Sequence, residues 1–411
     1  MENRNAEKYI ERIRLVDDAI ALKETKRIPI CPQIGALPYV LGKSSYRAAM
    51  YDYPEAAQAL VDFYQEFQLD ATTHTDFVSG KANELARSAM IDWPGRPGSH
   101  VPEFSTYEVI EHEYMTEEEY PEFLKDFTGF LMRKYIPRAF PALKGLENLC
   151  FNPSIILNSS FLSPLYSEEV QRSFELIGKI GEEERKARKA ADDVSEKLRE
   201  QGFPPMFTGV GEAPFDIIGD YFRGTLATLT DQIERTGELA EACDRMADMQ
   251  IESWQYFRNT EMTVKRVYFP LHKGMDGFMS GEQYRKIYWE PLKKCIMALI
   301  NMGVTPIIYT EGKYNTRLEY LAEVPKGKVL YHFETVDIRR AKEVLGGTAA
   351  ISGNLPIYLM EYGTPEQVRE ETKKLLDICV PGGGYIFDFN ACIDLAKREN
   401  MEILLDTIRS F

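Results

Sequence analysis

The chain has 411 residues, of which 44% are hydrophobic, so it is long enough to bury a large core. Its 64 Asp and Glu outnumber 49 Lys and Arg, and the net charge of -15 argues against binding to nucleic acids or to anionic membranes. The six cysteines include no C-x-x-C pair, which argues against a disulfide framework or a zinc ribbon and favours a reducing, cytoplasmic location.

The first part of the chain predicts a helical extension followed by the first strands of a barrel. Residues 1–17 form a charged helical pattern, not an apolar signal region, and no later stretch is long and apolar enough to predict a membrane span. Ile28–Ile34 and Asp70–Thr75 are predicted strands. Residues 99–158 are rich in aromatic, proline and acidic residues, and we interpret them as an insertion that covers one barrel mouth.

The second half alternates short apolar runs with longer amphipathic ones, which is typical of βα units on a parallel sheet. Residues 181–201 carry interleaved charges and predict a solvated helix. The other predicted helices are Ser280–Met302 and Thr364–Ile378. The predicted strands are Pro205–Val210, Val264–Pro270, Thr305–Thr310, Lys328–Phe333, Thr348–Ser352 and Tyr385–Phe389. We therefore predict one (β/α)8 TIM barrel domain over residues 1–411.

Polar side chains follow four of the predicted strands. Asp76, His272 and Glu311 each come after a different strand, and His332 and Glu334 close the strand after that of Glu311. In a (β/α)8 barrel the chemistry takes place where strands end and βα loops begin. These side chains are therefore the candidates for a site at one barrel mouth.

Five segments carry a resemblance to a known family. They are FMSGEQYRKIYWEPL at Phe278–Leu292, Gly303–Gly312, GNLPIYLMEYGTPEQVREETKKLLDICVPGGG at Gly353–Gly384, GEAPFDIIGDYFRG at Gly211–Gly224, and the strand end Thr75-Asp76-Phe77. In order and spacing they resemble the uroporphyrinogen decarboxylase superfamily, from about residue 28 to the end. The resemblance implies a TIM barrel of that type and suggests a homodimer.

The chain departs from the decarboxylases of that superfamily at their substrate-binding motifs. Their R-Q-A-G-R arginine motif corresponds to Cys31–Pro38, which contains no arginine, their tyrosine corresponds to Asp220, and their G-H-G corresponds to residues 390–392. Only Asp76 remains of the implied catalytic set. Because a porphyrinogen with eight carboxylates needs cationic partners, these departures disfavour that substrate. A decarboxylase of a porphyrinogen or a smaller acid stays the alternative.

The other branch of the superfamily transfers methyl groups to or from a corrinoid. Its H-x-C zinc motif corresponds to Tyr309-Thr310-Glu311, and Cys392 lies where the last cysteine ligand is expected. With His332 on the neighbouring strand, the resemblance implies that Glu311, His332 and Cys392 bind one Zn²⁺ with an open fourth position. Glu334 is the next candidate ligand. The corrinoid would be carried by a partner protein, because the chain shows no cobalamin motif of its own.

Harder ligands than two cysteines favour polarisation of an oxygen, so the better match is to the veratrol and vanillate O-demethylase methyltransferases. The small-molecule donor would be a methoxylated aromatic compound. We predict that His272, Phe215 and Tyr309 contact this donor and that Asp76 holds the donor or a water. A barrel that binds a small molecule or a corrinoid protein without catalysis is a third hypothesis.

Overall fold

A six-stranded parallel sheet forms the centre of the structure, a computed structural model that describes residues 2–411. A short antiparallel ribbon, made of β1 (Ile91–Asp92) and β2 (Glu108–Val109), lies outside this sheet. The sheet strands are adjacent in chain order and are β3 (Gly209–Val210), β4 (Arg266–Leu271), β5 (Thr305–Thr310), β6 (Leu330–Phe333), β7 (Ala350–Ser352) and β8 (Tyr385–Ile386).

Two further extended segments complete a ring of eight, which confirms the predicted (β/α)8 fold. The Phe387 amide donates to the Pro29 carbonyl at 2.8 Å, and the Asp70 amide donates to the Ile30 carbonyl at 2.9 Å. The Thr72 amide then donates to the Pro204 carbonyl at 2.8 Å, just before β3. The contacts of Ile30 with Phe387 and of Thr72 with Pro205 are isolated bridges and not full strands, and the prolines at positions 29, 32, 204 and 205 lack an amide donor.

Over residues 2–411, nineteen α-helices surround the ring. Those before β3 are α1 (Glu2–Ile20), α2 (Leu37–Leu41), α3 (Tyr46–Tyr51), α4 (Tyr53–Phe67), α5 (Gly80–Ala86), α6 (Tyr120–Lys125), α7 (Phe127–Phe130), α8 (Ile136–Ala139) and α9 (Glu168–Glu200). Those between β3 and β6 are α10 (Pro214–Asp216), α11 (Thr225–Glu234), α12 (Thr236–Ser253), α13 (Gly281–Gln283), α14 (Glu290–Asn301) and α15 (Leu318–Leu321). The last are α16 (Ile338–Leu345), α17 (Tyr358–Tyr362), α18 (Pro365–Cys379) and α19 (Arg398–Arg409).

The long charged helix α9 contacts the barrel through one narrow face. Its buried residues Ala187, Ala191, Val194 and Leu198 recur at helical spacing, while its other faces carry exposed ion pairs such as that between Lys189 and Asp193. Of the described residues, none belongs to a helix that is both long and apolar enough to cross a bilayer.

The predicted helix Ser280–Met302 is interrupted by a π-helical turn over Tyr284–Trp289. Pro291 follows this turn, and a proline ring clashes with the carbonyl of the residue four positions earlier, so the wider turn relieves the clash. A second π-helical segment, Ile217–Arg223, ends at Gly224, whose φ of 77° suits glycine. This second segment lies beside the barrel mouth described below.

A buried ion pair joins the 99–158 segment to the barrel. Arg223 donates to Asp231 at 2.6 Å and to the Met115 carbonyl at 2.5 Å, and it also pairs with Glu113. Tyr120 donates to Asp231 at 2.8 Å. Arg223 is 3% exposed and Asp231 is fully buried, so neither charge has water as a substitute partner.

We expect Arg223→Met to lower the free energy of unfolding by about 3 to 5 kcal/mol, because it leaves the Asp231 carboxylate buried without its partner. Urea unfolding followed by circular dichroism measures this loss, and limited proteolysis reports whether residues 99–158 become accessible. As a control, Arg235→Met removes an exposed pair and should change stability by less than about 0.5 kcal/mol. Equal losses in both variants would contradict a special role for the buried pair.

Candidate active site

Three titratable residues form a row at the carboxyl ends of adjacent strands. His272, Glu311 and Glu334 each directly follow the last residue of β4, β5 and β6. The register pairs Leu271 with Thr310 and Thr310 with Phe333, so the three residues lie side by side. The row therefore occupies the face of the barrel where active sites form.

Asp216 fixes the backbone at the start of this row. Its carboxylate accepts the amides of His272 and Lys273 at 2.8 and 3.0 Å, and it accepts the Tyr288 hydroxyl at 2.7 Å. Asp216 is fully buried, and burial together with nearby Asp220 raises its pKa. One side chain thus sets the position of β4 relative to the π-helical segment.

His272 lies between two carboxylates. Its Nδ1 is 2.6 Å from Asp220 Oδ2, and its Nε2 is 3.6 Å from Glu311 Oε1. Lys273 Nζ pairs with the other oxygen of Asp220 and lies 3.4 Å from Glu111 Oε1, which belongs to the 99–158 segment. The His272 and Glu311 side chains are 31% and 41% exposed, so this pair borders solvent at the barrel mouth.

The charges in this cluster shift one another's pKa values. Burial alone would lower the pKa of His272, but the bond to Asp220 and the charges of Asp216 and Glu311 raise it to about 9. Burial opposes ionisation of Asp220, yet its bonds to His272 and Lys273 lower its pKa. At neutral pH His272 is therefore an imidazolium. Asp220 holds its Nδ1, and its Nε2 can donate a proton.

A second proton donor lies nearby on the loop after β3. Burial raises the pKa of Glu212 to about 7, and its carboxyl group accepts a hydrogen bond from Tyr221. The Gln250 amide group holds the backbone of Glu212 from both sides, at 2.9 Å each. Glu212 is influenced by His272, so both groups belong to one electrostatic cluster.

His332 lies inside the barrel, 1% exposed, with both ring nitrogens engaged. Nε2 is 2.6 Å from the Phe389 carbonyl, which only accepts, so Nε2 carries the proton and Nδ1 accepts from Gln33 Nε2 at 2.9 Å. Burial lowers the pKa of His332 to about 4, so the ring is neutral. Tyr309 stacks on it at 4.5 Å between ring centroids, and the Tyr309 hydroxyl donates to the Asn390 carbonyl at 3.2 Å.

The remaining predicted residues lie apart from the His272 cluster. Phe215 is fully buried against Tyr288, and Asp76 is exposed in the loop before α5. Cys392 lies beside Gly35 and Asp394, and burial raises the pKa of its thiol. Of the predicted site residues, the structure brings together His272 with Glu311 at the barrel mouth and Tyr309 with His332 inside the barrel.

The predicted zinc set does not fit a metal ion in this arrangement. His332 Nδ1 already accepts a hydrogen bond from Gln33, and Nε2 donates its proton to the Phe389 carbonyl. Burial favours the thiol form of Cys392, whereas zinc binds the thiolate. Within residues 2–411, no group of three or more His, Cys, Asp or Glu side chains is arranged to hold a metal ion. Zinc binding by His332 would require the ring to release Gln33 or the Phe389 carbonyl.

Glu212 and Asp216 are site residues that the sequence prediction missed, and Asp220 was noted only as a departure from a family motif. Their spacing carried a signal, since three acidic residues stand four positions apart in an otherwise apolar segment. In a helical turn such residues share one face. These carboxyl groups face the loop after β4, which lies about 50 residues further along the chain, so their partners could not be identified from the local sequence.

Comparisons with known proteins agree with this fold. The sequence profile described as "Uroporphyrinogen decarboxylase (URO-D)" matches residues 178–411. The uroporphyrinogen decarboxylases of Azoarcus sp. (strain BH72) and Aromatoleum aromaticum are each 28% identical over 137 residues, 32% of this chain. The match spans 37% and 38% of those relatives, so little more than a third of their length is covered.

A solved structure is similar over almost the whole chain. A methyltransferase from Methanosarcina mazei superposes with a TM-score of 0.60 and 15% identity, covering 97% of this chain and 98% of that one. At this identity the likeness establishes the shared fold and leaves the reaction open.

We expect His272 to titrate near pH 9, and Asp220→Asn to bring its pKa down to about 6.5 or below, since burial then outweighs the remaining charges. Because the folded-state pKa is raised, protonation of His272 stabilises the fold fully below about pH 6.5. This contribution is lost as pH rises through 9. Nuclear magnetic resonance titration measures the pKa, with His272→Gln to assign the signal and the exposed Asp192→Asn as control. A wild-type value near 6.5 would refute the geometry.

Zinc at Glu311, His332 and Cys392 stays a prediction that elemental analysis can test. If the set binds zinc, the wild type contains one ion per chain, and Glu311→Gln, His332→Ala and Cys392→Ala each lose it. Cys150→Ala, at an exposed cysteine, serves as control. Wild-type protein without stoichiometric zinc after supplementation contradicts the set, and retention in Cys392→Ala alone moves the third ligand to Glu334.

Proposed function

Because the chain belongs to the uroporphyrinogen decarboxylase (URO-D) family, we propose that it is a methyltransferase of that superfamily. It moves a methyl group from a small methoxylated donor, an aromatic methyl ether, to a corrinoid carried by a partner protein. The observation that carries this proposal is the placement of His272 at the barrel mouth, with Nδ1 held by Asp220 at 2.6 Å and Nε2 directed toward Glu311 at 3.6 Å. The fold shared with a methyltransferase supports it.

The chemistry of a methyl ether explains why such an acid is needed. When the methyl carbon passes to the corrinoid, the C–O bond breaks and its electron pair stays on the leaving oxygen. An aryl leaving oxygen has a pKa of about 10, as tyrosine has, so a proton donor with a pKa near 9 is well matched to it. The proton comes from His272 Nε2, and Asp220 stabilises the ring through Nδ1 in both protonation states.

Three carboxyl groups near His272 have different roles in this proposal. Asp220 stays ionised, because its partners His272 and Lys273 lower its pKa. Glu311 lies next to Nε2, with 3.6 Å between its Oε1 and that nitrogen, and its negative charge favours the protonated form of His272. Asp216 touches no substrate and acts as a positioning residue through the backbone of His272 and Lys273.

The alternative of a uroporphyrinogen decarboxylase-type reaction is less well supported by this site. The two cations at the barrel mouth, His272 and Lys273, are already paired with Asp220. The segment Cys31–Pro38 contributes no arginine. A porphyrinogen with many carboxylates would find few free cationic partners. Zinc binding by Glu311, His332 and Cys392 is a separate proposal and takes no part in this mechanism. A barrel without catalytic activity would not account for the shifted pKa values of the His272 cluster.

We expect His272→Gln to lower kcat for demethylation by about 10² to 10⁴-fold, since it removes the general acid while keeping the shape of the side chain. The assay uses veratrol as donor and free Co(I) cobalamin as acceptor under anaerobic conditions, and it measures the phenolic product by mass spectrometry.

The matched control is His100→Gln, at an exposed histidine in the insertion, which should leave kcat unchanged. Wild-type protein that converts uroporphyrinogen and does not demethylate veratrol would establish the decarboxylase instead. Equal activity of His272→Gln and wild type would rule out His272 as the acid.

A further inference from the structure

Acidic side chains outnumber basic ones around the row at the barrel mouth. Two cations, His272 and Lys273, stand among six carboxyl groups. These carboxyl groups are Glu111, Glu212, Asp216, Asp220, Glu311 and Glu334. The imbalance is local, because it concerns groups that contact or electrostatically influence one another and does not follow from the net charge of the chain.

Both cations are committed to carboxylates of the protein. Lys273 pairs with Asp220 and Glu111 and is only 8% exposed, while His272 is held between Asp220 and Glu311. Only Nε2 of His272 is left for a substrate group, and a substrate carboxylate there would lie against the Glu311 carboxylate, whose Oε1 is 3.6 Å from the same nitrogen. To reach Lys273, it would have to displace Asp220 or Glu111 and leave that carboxylate without its partner, which is unfavourable.

Three cations of the adjoining chain segments, Arg223, Arg317 and Lys313, do not supply a buried free partner either. Arg223 is consumed by Asp231 and Glu113, and Arg317 donates to the carbonyls of Gly274 and Met279. Lys313 follows Glu311 by two positions but is exposed to solvent. Its charge is therefore screened by water, unlike those of the buried pairs.

Protonation of some of these carboxyl groups reduces the repulsion but does not reverse it. Burial raises the pKa of Glu212 to about 7, so this carboxyl group is neutral for part of the time near neutral pH. A neutral carboxyl group offers no positive charge to an anion. It can donate or accept a hydrogen bond to a neutral ether or to an ammonium group.

We infer that the barrel mouth selects its methyl donor by charge: it takes donors without negative charge and binds a cationic donor more tightly than a neutral one. This inference rests on the proposed function, which supplies the methyl ether as donor. It narrows the donor class to neutral or cationic methoxylated compounds and excludes methoxylated benzoates.

Three donors with one ring and different charges test the inference. They are 1,2-dimethoxybenzene, which is neutral, 3,4-dimethoxybenzoate, which is anionic, and 3,4-dimethoxybenzylammonium, which is cationic at pH 7. Isothermal titration calorimetry measures binding of each without any corrinoid. We expect the anion to bind at least about tenfold more weakly than the neutral ether, and the cation several-fold more tightly.

A double variant connects the selectivity to named residues. Glu311→Gln with Glu334→Gln should reduce the cation-to-anion ratio of affinities by about tenfold or more, because it removes both carboxylates of the row. The control is Glu370→Gln with Glu402→Gln, which makes the same change of charge on the exposed faces of α18 and α19 and should leave the ratio unchanged.

The outcomes separate the inference from the proposed function. If the anion binds as tightly as the neutral ether and is demethylated, the charge inference is overturned while the methyltransferase stands. An unchanged affinity ratio in the double variant at the row also overturns it. If none of the three donors binds, the methyl ether donor itself is wrong and both proposals fail.

Discussion

The buried carboxylate of Asp216 is the constraint on which the mouth of this barrel depends. It accepts two consecutive backbone amides after β4 and the hydroxyl of Tyr288, and so joins three elements that are distant in sequence. Because the group is fully buried, each of these donors would be left without a partner if the carboxylate moved. The side chains of His272 and Lys273 are oriented as a consequence.

From this anchor the electrostatics of the site follow. Asp216 and Asp220 lie four residues apart, yet their surroundings push their pKa values in opposite directions, since only Asp220 bonds directly to the two cations. The same π-helical segment ends at Arg223, which pairs with Asp231 and contacts Glu113 and Met115 of the 99–158 segment. Glu111 of that segment lies 3.4 Å from Lys273, so the segment and the site are in contact.

Membership of a family leaves the substrate open, because one barrel fold hosts many reactions. The layout of charges is more informative here than the fold. A site for many carboxylates needs unpaired cations, whereas this mouth pairs its two cations internally and presents further carboxyl groups. A histidinium at the barrel mouth suits a leaving oxygen that needs a proton, and the acidic surroundings suit a donor that is not an anion.

The sequence alone determined the barrel, the strand Thr305–Thr310 to the residue, and the placement of His272, Glu311 and Glu334 at strand ends, because periodicity and strand boundaries are local properties. Only the tertiary structure decided which of them meet. His332 belongs to a strand whose successive side chains point to opposite faces, and packing turned it into the barrel interior, where Gln33 and Phe389 engage both nitrogens. Asp220 became the partner of His272 across 52 residues, a contact that depends on how a π-helical segment packs beside β4 and that no local pattern encodes.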